Sequence, residues 1–243
     1  MMFRSAHGGL TANNCAFILM DYQPQFASCV SSISAETPMN NAVNLAKIAM
    51  TFSIPTTLTT VGATSFGGPL LPKLREVFRD LEPIDRTTIN PWEDSRVLTK
   101  IEKAGRNKLL VAGLWTDFGV SIFVLEALRL GYEVYIVVDA CGDMSAKAHR
   151  IAIERMLQEG AVPMTWLQVL LTFHREWAPT DTYEVLLHAA EEHARTYGLD
   201  LQYAQNLPDE GQTKFVDDKP KEGRWGRWSI APDRLLKRSQ KRL

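Results

Sequence analysis

The stretch KLLVAGLWTDFGVSIFVLEALRLGYEVYIVVDAC, residues 108–141, decides the fold. It holds two apolar runs, 108–114 and 132–141, on either side of residues 117–131, whose apolar side chains recur at helical spacing. Two strands joined by a helix pack as parallel neighbours, and strands that are apolar throughout are covered on both faces. The stretch therefore predicts part of a parallel sheet with helices on both sides.

The same alternation continues through most of the chain. Further strands are predicted at 15–21, 55–61 and 161–166, and further helices at 40–52, 70–78, 95–105, 145–160 and 182–198. Ligands of such α/β folds bind beyond the carboxyl ends of the strands. The segments predicted at those ends are Asp21 and the loops 61–69, 113–120 and 139–145.

The bulk composition is ordinary for a soluble globular protein, with 45% apolar and 23% charged residues among 243. A net charge of −1 gives no reason to expect nucleic acid or a membrane as a partner. The three cysteines form no C-x-x-C pair, which argues against a disulfide framework or a zinc site. With neither a signal-peptide pattern nor a run of about 18 apolar residues, we expect a cytoplasmic protein.

The composition changes near Pro208. Residues 213–243 carry ten Lys and Arg against four acids, together with Trp225 and Trp228. We interpret residues 207–243 as a basic extension of a single domain that spans residues 12–206. Tryptophan is enriched at subunit interfaces, so we expect this extension to contact a neighbour in a homo-oligomer rather than to bind nucleic acid.

Three residues are candidates for a functional site. Asp21 closes the first strand in ILMDYQPQF, and a carboxylate after five apolar residues is costly to bury unless it is paired or functional. A helix cap or a turn is the structural alternative for it. Arg86 is a cation in what reads as a loop, EPIDRTTINPWED, and Gly119 lies in the strand-to-helix turn GLWTDFGV. Glycine at such a turn also has a structural explanation, because backbones approach closely there.

Taken in this order, these residues resemble the isochorismatase-like hydrolase superfamily and, within it, the YcaC-like cysteine hydrolases. The resemblance runs from about residue 14 to about residue 206 and includes PTTLTTVGATSFGGPLLPKL, INPWED, VVDACGD and GAVPMTW. It implies a three-layer α/β/α sandwich with a parallel sheet of about six strands, which agrees with the pattern above.

The resemblance also implies roles for individual positions. Amide-cleaving members use an Asp, a Lys and a Cys; by position the Asp is Asp21, a general base and then acid. Arg86 stands at the Lys position, where it keeps the charge but is a poor proton donor. Gly119 stands at the Cys position and has no thiol, which closes the thioester route. The oxyanion hole comes from backbone N–H groups of the turn, shaped by a cis peptide that here would join Leu114 and Trp115.

A metal or other cofactor is not expected. The nicotinamidase branch holds zinc with an Asp/His cluster between its first two catalytic positions, and residues 52–80 of this chain contain no histidine. Cys141 lies in DACGD, where relatives carry a small loop residue, so we expect no nucleophilic role for it.

Three functions remain compatible with the sequence, all with a small-molecule ligand. The chain is by descent a C–N hydrolase, of the amide or nitrile type, that has lost its nucleophile; this is the function we expect. Alternatively it is a thiol-independent vinyl ether hydrolase of the isochorismatase type, in which Asp21 protonates the substrate and water then adds. The third alternative is a noncatalytic protein that binds a ligand or assembles with other copies.

Overall fold

A computed structural model describes residues 9–174 and the backbone of residues 215–216 and 227–228. Its main element is a parallel sheet of six strands in the order β3-β2-β1-β4-β5-β6. The strands are β1 (Cys15–Met20), β2 (Thr56–Val61), β3 (Ile84–Arg86), β4 (Lys108–Gly113), β5 (Glu133–Val137) and β6 (Val162–Met164). The predicted parallel sheet of about six strands is confirmed.

Helices connect the strands and cover the sheet. They are α1 (Pro24–Ser28), α2 (Glu36–Thr51), α3 (Pro72–Val77), α4 (Ser95–Ala104), α5 (Ser121–Arg129), α6 (Ala146–Gln158) and α7 (Trp166–Phe173). The chain first moves outward from β1 to β3 and then continues from β4 to β6 on the other side. Because crossovers between parallel strands are right-handed, the helices of these two halves lie on opposite faces, which gives three layers. In agreement, α2 contacts α3 and α7, whereas α5 contacts α6.

The two central strands form the middle of the core. All six residues of β1 and all six of β4 are buried, as expected for strands that are covered on both faces. Lys108 is the charged exception; its side chain is buried and its ammonium group contacts the carboxylate of Glu133 on the adjacent strand. This pair satisfies a charge that would otherwise be very unfavourable inside the protein.

Several elements differ from the sequence prediction. The pattern gave no strand before α4, but Ile84–Arg86 pairs with β2, so Arg86 ends a short edge strand instead of lying in a loop. Three residues after a proline are too few to show a strand periodicity. The predicted helix over 117–131 begins only at Ser121, because residues 116–120 form a wide π-helical turn. The helices α1 and α7 were not predicted, and α2 begins four residues before the predicted start.

The chain divides into two compact units at His174. The first unit contains the six-stranded sheet. In the second unit, residues 215–216 and 227–228 form a two-stranded antiparallel ladder. The helix predicted over 182–198 and the domain boundary near residue 206 lie outside the described residues, as do the side chains of Trp225 and Trp228.

Candidate active site

The candidate site lies where the strand order reverses, beyond the carboxyl ends of β1 and β4. These strands are neighbours, with Met20 opposite Gly113, and their onward connections run in opposite directions. The resulting crevice is the usual ligand site of an open parallel sheet. Asp21 follows β1 with a positive φ of 58°, and its N–H donates to Thr59 O, so the backbone leaves the strand abruptly at the carboxylate.

Asp21 forms a buried ion pair with Arg86. Arg86 Nη2 donates to Asp21 Oδ2, and the exposed fractions of the two side chains are 1% and 4%. The other carboxylate oxygen, Oδ1, accepts a hydrogen bond of 2.8 Å from the hydroxyl of Thr59. Burial raises the pKa of Asp21 above its ordinary value, and the Arg86 cation and the Thr59 hydrogen bond oppose that rise in part. Such a carboxyl group is suited to exchange a proton with a bound molecule.

The second terminal nitrogen of Arg86 fixes the loop that follows β3. Arg86 Nη1 donates to the carbonyl oxygen of Thr88 and, at 3.4 Å, to that of Ile89. The guanidinium therefore links the end of the edge strand to Asp21 at the centre of the sheet. Its planar shape allows both groups of contacts at once, which a lysine ammonium could not reproduce.

Two glycines of the same turn have different physical reasons to be there. A Cβ at Gly113 would lie 2.7 Å from both the Cβ and the carbonyl oxygen of Met20, so only glycine fits between β4 and β1. A Cβ at Gly119 would lie 3.4 Å from Arg86 Nη2 and 3.5 Å from Asp21 Oδ2, which is ordinary van der Waals contact. Gly119 is also absent from the residues with positive φ in the described chain. Neither space nor backbone conformation requires glycine at position 119.

The turn between β4 and α5 is held without a cis peptide. The prediction of a cis bond between Leu114 and Trp115 is wrong, because this bond is trans. The chain reverses instead through Trp115, which has a left-handed backbone with φ 58° and ψ 68°. Hydrogen bonds from Leu114 N to Met20 O and from Thr116 N to Gly142 O, of 3.1 and 3.2 Å, hold the two sides of this residue.

A pocket of about 220 Å³ opens over the ion pair. Aromatic and aliphatic side chains make up most of its wall, and Asp21 and Arg86 supply its charges. The lining residues are Asp21, Phe26, Val61, Phe66, Arg86, Thr87, Thr88, Ile89, Leu114, Trp115, Phe118 and Gly119. Because ligand pockets for drug-sized molecules measure roughly 300–1,000 Å³, this one suits a smaller molecule.

The structure thus brings Asp21, Arg86 and Gly119 together, with Leu114 and Trp115 on the same wall. The sequence reasoning missed Thr59, which fixes the carboxylate, and the aromatic side chains of the wall. Thr59 stands next to Asp21 because β2 pairs with β1, and PTTLTTV does carry the hydroxyl-rich pattern that could have pointed to it. The aromatic residues come from helix α1, from the loop after β2 and from the turn after β4, and no local pattern connects these three segments.

Other reactive groups of the described chain lie away from the pocket wall. Cys15 and Cys141 are buried, and burial raises the pKa of each thiol to about 12. His149 Nδ1 lies 2.9 Å from the hydroxyl of Thr116, behind the turn, and burial lowers its pKa. Among the described residues, no group of three or more His, Cys, Asp or Glu side chains could hold a metal ion. None of the helices in this part of the chain has the length and apolarity of a membrane span.

Comparison with known proteins identifies the family. The isochorismatase domain model matches residues 15–168, which include Asp21, Arg86 and Gly119. The chain belongs to the isochorismatase family. It is 34% identical over 169 residues to the probable hydrolase YcaC of Escherichia coli, covering 69% of this chain and 81% of that protein. It is also 31% identical over 114 residues to the phenazine biosynthesis protein PhzD1 of Pseudomonas aeruginosa, covering 43% and 55%.

Solved structures give the same assignment. The chain superposes on YcaC from Pseudomonas aeruginosa, solved with hexane-2,5-diol and covalent acrylamide, with a TM-score of 0.78 at 31% identity. It superposes on the YcaC gene product of Escherichia coli, described as an octameric hydrolase of unknown specificity, with a TM-score of 0.77 at 31% identity. Both comparisons cover 84% of this chain and all of the other. The predicted resemblance to the YcaC-like branch is confirmed.

Proposed function

We propose that this protein is by descent a C–N hydrolase whose site retains the acid–base group but lacks the nucleophile. Asp21 is the general base and acid of this site. Arg86 forms the ion pair that positions the Asp21 carboxylate, and Gly119 stands where a nucleophilic cysteine would be. Without a thiol there, no thioester can form, so the natural protein cannot hydrolyse amides through a covalent intermediate at this position.

The single observation that carries this proposal is the environment of Gly119. A glycine kept for structural reasons has a positive φ or too little space for a Cβ, as Gly113 illustrates. Gly119 has neither constraint, and its Cβ direction leads to the two charged groups of the site, at 3.4 and 3.5 Å. A side chain at this position would be within reach of Asp21, which is the geometry that a nucleophile and its base require.

The charges of the pocket indicate the class of ligand. Arg86 is the cation of the pocket wall, and Asp21 already neutralises it. A carboxylate ligand would meet the Asp21 charge with no second cation on the described wall to offset it. We therefore propose small, uncharged and mostly apolar ligands, as amides and nitriles of a few carbon atoms are.

Restoring the thiol tests this function. The variant Gly119→Cys should release ammonia from short uncharged amides, whereas the natural protein and Gly119→Ala should not. Gly119→Ala is the matched control, because it adds the same Cβ without sulfur. If Gly119→Cys folds normally and releases ammonia from none of a panel of short amides and nitriles, the proposal is wrong.

A second candidate is thiol-independent hydrolysis of a vinyl ether, as in isochorismatase. Two observations favour it: the raised pKa of Asp21, which suits a general acid, and the similarity to PhzD1. A substrate with two carboxylates would find Arg86 as the cation of the described pocket wall and no second one, which argues against this candidate. If the natural protein hydrolyses isochorismate and Asp21→Asn does not, this candidate replaces the first.

We also infer a homo-oligomer, because the similar Escherichia coli protein is described as octameric. The basic extension over 207–243 is proposed to take part in the subunit contacts through Trp225 and Trp228. Light scattering of the full chain and of a chain ended at Asp209 tests both statements. A monomer in both cases contradicts the oligomer, and an unchanged oligomer after truncation contradicts the role of the extension.

A further inference from the structure

Exposed apolar side chains surround the opening of the pocket. Ile89 and Phe66 are the two most exposed large hydrophobic residues of the described chain, with exposed fractions of 63% and 58%, and Phe118 is 42% exposed. All three also line the cavity over Asp21, and together they form its apolar rim. Single exposed apolar residues need no explanation, but a group of them around a cavity indicates a binding surface. A bound molecule can reach these side chains, because a large part of each is open to solvent.

Phe66 is carried by a loop that is fastened at both ends. The side chain of Gln23 is fully buried, and its Nε2 donates to the carbonyl oxygens of Val61 and Gly68. Its Oε1 accepts a hydrogen bond of 2.8 Å from Val61 N. The loop with Phe66 lies between these two anchored residues, and the Phe66 ring packs edge-on against Phe26 with centroids 5.9 Å apart. Phe66 is therefore exposed but fixed in position.

The other two residues of the apolar rim are also fixed. The carbonyl oxygen of Ile89 accepts a hydrogen bond of 3.4 Å from Arg86 Nη1. Phe118 lies in the π-helical turn, where its N–H donates to Trp115 O and its ring packs against Trp115 with centroids 5.6 Å apart. A surface that is already ordered loses little conformational freedom when a ligand binds, which favours binding.

The cavity and the apolar rim together favour a ligand with two parts. At about 220 Å³ the cavity accommodates a small head group, since most small-molecule sites measure roughly 300–1,000 Å³. Any longer part of the ligand must extend past the cavity, where it meets the rim. The side chains of the rim carry neither charge nor a polar group, so the part that covers them is apolar.

We propose that the ligand of this site has an apolar tail that leaves the cavity and lies on the apolar rim, and that Phe66 and Ile89 determine specificity for the length of this tail. The inference deepens the proposed function and rests on it for the uncharged head group, to which it adds an alkyl chain. A tail on a surface is covered on one side, so each methylene contributes about half of what full burial gives.

Butyramide, hexanamide and octanamide are suitable probes, because they share the amide group and differ in chain length. NMR titration of the ¹⁵N-labelled natural protein gives their dissociation constants. Each addition of two methylenes should lower the dissociation constant about fourfold. In Ile89→Ser this gain should fall to about twofold, and adding Phe66→Ser should nearly abolish it, because the apolar surface under the tail is then lost.

Ile151→Ser is the matched control, because Ile151 is 47% exposed on α6 and is not part of the pocket wall. It should keep the fourfold gain. The inference is overturned if the three amides bind equally or not at all, or if Ile151→Ser reduces the gain as much as Ile89→Ser does. It is also overturned if the rim variants keep the gain; a change in their molar mass by light scattering would then identify the rim as a contact between copies. These measurements involve neither turnover nor a new thiol, so their failure is distinguishable from inactivity of Gly119→Cys.

Discussion

Arg86 donates through Nη2 to Asp21 Oδ2 in an ion pair that joins the end of the edge strand β3 to the end of the central strand β1, with both side chains almost fully buried. Removing one member of a buried pair leaves an uncompensated charge, which costs about 3–5 kcal/mol. The variant Arg86→Met should therefore lower the free energy of unfolding by about that amount at neutral pH. Urea denaturation measures it.

This deficit should depend on pH. Arg86 is the strongest of the groups that lower the pKa of Asp21, so its removal raises the folded-state pKa further. A carboxyl group with a raised folded-state pKa stabilises the protein at low pH, and that stability is lost as pH rises through the folded-state pKa. The deficit of Arg86→Met should thus be larger at pH 8 than at pH 5. An equal deficit at both values would mean that the pair is not coupled as described.

Two control variants distinguish the loss of the buried ion pair from the loss of any arginine. Arg75→Met removes an ion pair with Glu82 whose side chains are 41% and 77% exposed, and exposed pairs contribute little. The double variant Asp21→Leu with Arg86→Met removes both charges and should recover much of the stability that Arg86→Met loses.

Ser53→Gly should stabilise the protein. Ser53 follows α2 with a φ of 52°, and the hydrogen bonds Ser53 N to Met50 O and Ile54 N to Ala49 O close the helix as a Schellman motif. Glycine is favoured at this position because a left-handed backbone is unfavourable for residues with a Cβ, by about 1 kcal/mol. Thermal or urea unfolding should show a gain of about that size. Ser34→Gly, at an exposed serine without positive φ, should give no gain; an equal gain there would contradict the explanation.

His149 should make stability fall in mild acid. Burial lowers its folded-state pKa, although Asp143 opposes this in part, so the folded protein holds the proton less tightly than the unfolded chain. The stability of the neutral form is present above the unfolded pKa of about 6.5 and is lost as pH falls from there through the lower folded-state pKa. His149→Gln does not titrate, so the difference in unfolding free energy between it and the natural protein should shrink from pH 7.5 to pH 5. A difference that stays constant would exclude His149 as the titrating group.

The sequence contained enough information for the sheet and for the three central residues of the site. Apolar runs such as KLLVAG and CAFILM indicate buried strands directly. The motifs around Asp21, Arg86 and Gly119 occur in the order that the resemblance requires, which was enough to select these three residues. The strand Ile84–Arg86 has no such signal, because its pairing with β2 and not its periodicity makes it a strand. The same holds for Thr59, whose importance follows from its position beside Asp21 in the sheet.

The turn at Trp115 shows a different limit. The resemblance predicted a cis peptide bond at this turn. The described chain instead turns through Trp115 in the left-handed backbone conformation. The aromatic wall of Phe26, Phe66, Trp115 and Phe118 is assembled from three segments far apart in the chain. Neither feature follows from local propensity, since both depend on how the loops meet above the sheet.

We propose that position 119 is a nucleophile site without a nucleophile. The most direct test of this proposal is the rate of iodoacetamide alkylation of Gly119→Cys at pH 6, in a Cys29→Ser background. Cys15 and Cys141 are buried with thiol pKa values of about 12, so they should not contribute in the folded protein. Thiols react as thiolates, and an ordinary thiol with a pKa of about 8.5 is almost unreactive at pH 6.

Asp21 can accept the proton of the new thiol, and Arg86 can stabilise the thiolate. We therefore expect Gly119→Cys to be alkylated at pH 6 at least about tenfold faster than Cys29 is in the natural protein. Adding the substitutions Asp21→Leu and Arg86→Met should abolish this advantage, because the thiol then lies among apolar groups. An alkylation rate no higher than that of Cys29, or one that survives the removal of both charges, would contradict the account.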